Sequence, residues 1–203
     1  MTKRVLLAGI LGGIALFLWG SVSHLALGLG EIGIKNLPNE QAVLPTMRSA
    51  IAEPGFYFFP GMEVAHRASG AEKDAAMKQF EQKYMRGPYG ILIYHPQGTK
   101  PMSPAQLLTE FGLNVVQALI AAFLPSLAIG LTSFASRLAF VTVIGALAAI
   151  TTNVEYWNWY GFPANYTAAT IADKVIGFLV VGIVAAVVFR SSVPKTLAIE
   201  ART

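Results

Sequence analysis

Charged residues are missing from three long stretches of this chain, residues 5–30, 111–136 and 138–154. A fourth stretch, residues 167–189, is broken only by Asp173 and Lys174 near its start. Each is near or above the roughly 17–25 residues that a helix needs to cross a bilayer. The pattern predicts four spanning helices. Between the first and second spans the pattern changes. Residues 39–51 predict a helix interrupted by Pro45, and the aromatic run Gly55–Phe59, bounded by Pro54 and Pro60, predicts a strand. Residues 71–85 are rich in helix formers, with Met77, Phe80 and Tyr84 at three- and four-residue spacing. Residues 89–94 again read as a strand. The expected fold class is membrane all-α: a four-transmembrane-helix bundle with a small α/β extramembrane insertion between helices 1 and 2. The expected division is residues 1–30 for the first span, 31–103 for the outer-side insertion, 104–190 for spans two to four, and 191–203 for a cytoplasmic tail. At about 70 residues the insertion is near the lower limit for a self-supporting core.

Composition agrees with that pattern. Of the 203 residues 54% are hydrophobic and 13% charged, where a soluble domain carries about a quarter charged. Mean hydropathy is +0.54. The net charge of +4 does not imply nucleic acid as a partner, because the basic residues are scattered. The lipid bilayer is the expected partner, together with other membrane protein subunits. The absence of cysteine excludes disulfides, thiolate metal sites and cysteine nucleophiles.

The short flanks carry the orientation signal. Lys3 and Arg4 precede span one, Arg137 lies between spans two and three, and Arg190, Lys195 and Arg202 follow span four. Residues 156–166, between spans three and four, hold no Lys or Arg. The expectation is a bacterial inner membrane with both termini cytoplasmic and the large loop outside, since long loops translocate regardless of charge. The first span is expected to be retained, its apolar run being about twice the 7–15 residues of a signal-peptide core.

Local signals add detail. Ser103-Pro-Ala-Gln106 reads as a capping box with proline at the first helical position of span two. Pro125 is expected to kink that helix. Residues 156–163, YWNWYGFP, read as an interfacial aromatic loop. Gly9 and Gly13 form a GxxxG pair that suits close helix approach, within the bundle or against a partner. Asn165-Tyr166-Thr167 reads as a helix cap rather than a glycosylation sequon.

The phrases LWGSVSHLALGLGEIGIKNLPNE, EPGFYFFPG, GILIYHPQGTKPMSP and YWNWYGFPANYTAATIADKVIGF resemble an uncharacterised family of bacterial four-helix inner-membrane proteins. The resemblance runs over nearly the whole chain. It implies four spans and carries no known activity, so no chemistry follows from it.

Ionisable groups inside a bilayer cost roughly 2.5–3.5 kcal/mol each and are the first place to look for function. In span two, Glu110, Asn114 and Gln117 share one helical stripe. Span one contributes Ser21 and His24, span three Glu155, and span four Asp173 with Lys174 beside it. Nearly all fall in the expected outer half. The functional reading is an outward-opening polar pocket lined by His24, Glu110, Asn114, Gln117, Glu155 and Asp173. The bland alternative is hydrogen-bonded glue between helices.

No metal, haem or other cofactor is expected: the three histidines, His24, His66 and His95, lack ligand spacing. No catalytic residue is expected either, since no GxSxG, HExxH or P-loop occurs, and serines near His24 read as packing filler. Two functions stay open. The first is a non-enzymatic accessory or scaffolding subunit of a larger inner-membrane assembly. The second is binding or transport of a small polar ligand or ion through the outer pocket.

Overall fold

The computed structural model describes residues 2–128 and 130–190, without the side chains of Thr2 and Arg190. The cytoplasmic tail expected at 191–203 lies outside the described residues. The chain is mostly helical, with six α-helices and one two-stranded sheet. The helices are α1 (Thr2–Ser21), α2 (Glu40–Ala50), α3 (Gly70–Arg86), α4 (Pro104–Leu127), α5 (Phe134–Tyr160) and α6 (Ala164–Arg190), and the strands are β1 (Gly55–Phe59) and β2 (Gly90–Tyr94). It divides into two compact units, residues Lys35–Lys100 and the remainder.

The larger unit holds four helices long and apolar enough to cross a membrane: Lys3–Ala26, Pro104–Leu127, Phe134–Tyr160 and Ala164–Phe189. Contact pairs fix their arrangement. Gly9 meets Leu119, Gly13 meets Val115, and Phe17 meets Phe111 edge-on, so α1 runs antiparallel to α4. Gly12 meets Val181, Gly177 meets Leu16, and Trp19 meets Asp173, so α1 is antiparallel to α6 as well. Helix α5 packs on α6, with Gly145 against Phe178 and Leu138 against Gly182.

Side-chain size is distributed inside out for a water-soluble bundle. The interior is built largely from Ala8, Ala118, Ala121, Ala122, Ala149, Ala185 and Ala186, with Leu16, Val141, Val181 and Phe178 as the larger members. Large apolar residues point outward: Leu108 is 71% exposed and Leu147 67%, and Leu18, Ile120, Val143 and Val187 are also exposed. Small residues inside let backbones approach closely, the packing mode typical of helices that associate in lipid. The GxxxG pair of α1 is used inside the bundle: a Cβ on Gly13 would stand 2.6 Å from the Val115 Cα, and one on Gly9 would collide with Leu119.

Helix boundaries follow local chemistry. The Ser103 capping box is present: the Ser103 N–H donates to Gln106 Oε1 at 2.9 Å, and the Gln106 N–H donates to Ser103 Oγ at 3.3 Å. Pro125 falls in the last turn of α4, which stops at Leu127 instead of continuing past a kink. Helix α5 runs through the aromatic segment read as a loop and ends at Tyr160, leaving residues 161–163 as the turn into α6. The ring contacts Tyr156–Tyr160 and Tyr156–Phe162, at 5.8 and 5.3 Å between centroids, explain why those aromatics stay helical. The Asn165 side-chain oxygen accepts the Tyr166 N–H at 3.0 Å.

In the smaller unit β1 and β2 pair antiparallel, with Gly55 opposite Tyr94 and Phe59 opposite Gly90. A ladder of rings ties α3 to the sheet: Phe58–Phe80, Phe80–Tyr84 and Tyr84–Tyr89, at 6.4, 5.7 and 4.4 Å. Tyr94 is its one buried apolar residue among those described. Helix α2 passes through Pro45 without interruption; what that proline forfeits is one bond to the Gln41 carbonyl. Helix α3 opens on a capping box absent from the sequence reading: the Glu72 carboxylate accepts both the N–H and the hydroxyl of Ser69, at 2.7 and 2.9 Å.

Two outcomes follow. Gly13→Val forces α1 away from the α4 backbone and lowers stability by about 1–3 kcal/mol, the range for overpacking, whereas Gly112→Ala, whose Cβ meets nothing, leaves it unchanged or raised; thermal unfolding in mild detergent reads both. The Ser69 N–H and then its hydroxyl hold the Glu72 pKa below its ordinary 4.5. A depressed folded-state pKa means the cap's contribution is complete above the unfolded value and is lost as pH falls through the folded one. Hydrogen-exchange protection of the first turn of α3, corrected for intrinsic rates, therefore drops on acidification below pH 4.5, and Glu72→Gln abolishes that pH dependence.

Candidate functional site

Toward one end of the larger unit, where α1 finishes and α4 and α6 begin, the small-residue packing gives way to bulkier and polar residues. The last turn of the first long helix widens there: the Leu27 N–H bonds to the Val22 carbonyl five residues back, at 3.0 Å, making Val22–Ala26 a single π-turn. Such turns place side chains off the ordinary helical spacing and recur at functional sites. This one carries His24. The chain then leaves the helix through Gly28 in the left-handed region (φ 64°).

A cavity of about 360 Å³ opens among α1, α4 and α6. Its polar lining is Ser21 and His24 from the first helix, Glu110 and Asn114 from α4, and Asp173 and Lys174 from α6. The apolar lining includes Phe17, Trp19, Leu25 and Leu107. Four of the six residues singled out from sequence, His24, Glu110, Asn114 and Asp173, therefore meet around one space. Gln117 and Glu155 do not line it. Gln117 shares the angular stripe of Glu110 but sits two turns, roughly 10 Å, farther along α4. At that depth α4 closes on α1 through Val115 and Ala118. Glu155 is exposed on α5, which packs against α6 and not against α1.

Hydrogen bonding defines what the cavity offers. Asn114, 6% exposed, donates through Nδ2 to Glu110 Oε1 at 3.2 Å, which fixes one carboxylate oxygen. The Trp19 indole N–H donates to the Asp173 backbone carbonyl at 3.1 Å and locks α1 to α6 at this level. His24 Nδ1 lies 3.1 Å from the Gly20 carbonyl and 2.8 Å from Ser23 Oγ. Nδ1 is thereby engaged within its own helix, and Nε2 is the ring nitrogen that faces away from these contacts. Ser23 is fully buried and its hydroxyl donates to Gly20 at 3.2 Å, so it fills space and is no accessible nucleophile.

Asp173 differs from the others. It is 7% exposed, and its Oδ1 has no hydrogen-bond partner. A buried acceptor without a donor costs on the order of 1–3 kcal/mol, and more when charged. The cavity thus gathers two carboxyl side chains, Glu110 and Asp173, and one imidazole against the single lysine Lys174. Among the described residues no group of three or more His, Asp or Glu side chains is placed to hold a metal ion.

Trp19, Phe17 and Lys174 were not among the site residues read from sequence. An aromatic in an apolar helix gives no sign of which neighbour it faces, and Lys174 stands out in sequence only as the companion of Asp173. Comparison with known proteins finds no matching family model, curated sequence or solved structure.

Gly30 returns the chain against the imidazole: a Cβ there would collide with His24 Cδ2 and stand 3.1 Å from Nε2. Gly30→Val is therefore expected to displace the His24 ring. In imidazole-labelled protein the His24 NMR resonances shift while those of His66 and His95 stay in place; unchanged His24 resonances would contradict the placement.

Proposed function

We propose that the chain is a multi-pass protein of the bacterial inner membrane whose cavity among α1, α4 and α6 binds a small organic cation. The membrane assignment is supported by the outward-facing apolar residues on four long helices. The basic flanks Lys3, Arg4 and Arg137 stand at the opposite end from the cavity, where α1 and α5 begin. By the positive-inside rule that end faces the cytoplasm, so the cavity and the insertion face outward.

The observation that carries the binding function is the buried Asp173 carboxylate, lining a cavity and lacking a donor for Oδ1. A ligand with a protonated nitrogen in the cavity supplies the countercharge to the excess carboxylate there. The rings of Trp19 and Phe17, also in the lining, favour a cation over a neutral ligand. A volume of about 360 Å³ lies within the range of small-molecule sites.

A second function, as an accessory or scaffolding subunit of a larger assembly, is favoured by the insertion's sheet. Phe56 and Ile93 are cross-strand partners on one face and both are exposed. The GxxxG pair no longer supports it, being occupied within the bundle.

Titration of the full chain in lipid nanodiscs with ethanolamine, choline and putrescine, followed by tryptophan fluorescence, tests the cavity. At least one amine binds saturably, and Asp173→Asn and Glu110→Gln each weaken it tenfold or more. Binding by none, or equal binding by both variants, would refute the cation site. Recovery of a stoichiometric partner in mild detergent, lost in the Phe56→Ser/Ile93→Ser variant, would favour the subunit function.

A further inference from the structure

At the opposite end of the larger unit lies a second cavity, of about 400 Å³, that plays no part in the site above. It is lined by Arg4 of α1, Pro125 and Ser126 at the end of α4, Leu131 of the following turn, Arg137 of α5 and Phe189 of α6. Among the described residues no acidic side chain lines it. Two guanidinium groups from helices distant in sequence are thus brought to one concave, half-apolar space.

Arg137 is held in a fixed pose. Its Nε donates to the Leu131 carbonyl at 2.8 Å, and its guanidinium lies 6.0 Å from the centre of the Phe189 ring. Anchoring by Nε and by the ring face orients the planar fork in advance, so little freedom is lost when an anion arrives. Fork geometry matches the paired oxygens of a phosphate. The apolar part of the lining, Pro125, Leu131 and Phe189, suits the carbon adjoining a phosphate better than a free, fully hydrated ion.

We infer that the Arg4–Arg137 cavity is a binding site for a phosphate-bearing anion, of the kind presented by an acidic phospholipid headgroup. The site stands at the helix ends, at the level where headgroups lie if the four helices span a bilayer. It rests on the membrane reading but not on the cation cavity at the other end. The same phosphate chemistry is available from a soluble phosphate compound, and the two sources differ in whether the glycerol and acyl portions contribute.

The test is thermal unfolding of the purified full chain in a neutral detergent with added phosphatidylglycerol, phosphatidylcholine or inorganic phosphate. Phosphatidylglycerol raises the midpoint by several degrees, in a manner weakened by salt, while zwitterionic phosphatidylcholine does not. Inorganic phosphate matching the full lipid shift would assign the site to a soluble phosphate compound; a much smaller phosphate effect assigns it to the lipid. Arg4→Gln alone, and Arg137→Lys, which retains the charge but loses the fork, each reduce the apparent affinity at least fivefold. Asp173→Asn leaves the lipid shift intact, which separates this site from the opposite cavity. Equal shifts from phosphatidylglycerol and phosphatidylcholine with none from phosphate, or a wild-type response in both arginine variants, would overturn the proposal.

Discussion

Close approach of α1 to its neighbours is the constraint on which the rest of the structure depends. Gly9 and Gly13 admit Leu119 and the Val115 backbone, Gly12 and Ala118 leave room for Val181, and Gly177 receives Leu16. The exterior around these contacts is heavily apolar, with Leu108 and Leu147 among the exposed residues. The same contacts suit a medium in which apolar surface carries no penalty and packing alone draws helices together. Side-chain size, rather than hydrophobicity, separates the inside of this protein from its outside.

Where the small residues stop, bulkier side chains such as Phe17 and Trp19 bridge the helices, and each end of the larger unit opens a cavity. At one end the gap receives acids, an amide and a histidine on a π-turn; at the other it receives two arginines. The division of charge is lengthwise: carboxylates at the end where α4 and α6 begin, guanidinium groups at the end where α1 begins.

Much of the framework is legible in the amino-acid order. The charge-free runs mark the four long helices, because exclusion of ionisable groups is a property of each segment taken alone. The cap at Ser103 and the strands at 55–59 and 90–94 are equally local signals. What could not be read depends on relations between segments. The 156–160 aromatics look like a loop, whereas in the fold they extend α5, with the tilted Tyr156–Tyr160 ring contact one turn apart. Glu110 and Asn114 are one turn apart, so their shared face is visible in sequence. Gln117 lies on that same face at another depth, and depth depends on where α1 closes over α4. The bond from Trp19 to the Asp173 carbonyl needs the register between α1 and α6, which no pattern within either helix contains.

Because the chain has no cysteine, single-cysteine variants can test directly what surrounds the outward-facing residues. Leu147, at 67% exposure, is the decisive position, with Gly98 in the smaller unit and Thr132 between α4 and α5 for comparison. With a membrane-impermeant maleimide, Gly98→Cys is expected to label from outside intact spheroplasts and Thr132→Cys only after the membrane is opened. Leu147→Cys is expected to resist labelling in both conditions and to react once the protein is unfolded in detergent. Ready labelling of Leu147→Cys in the native membrane would mean that water, not lipid, covers that face, and would contradict the membrane-spanning bundle.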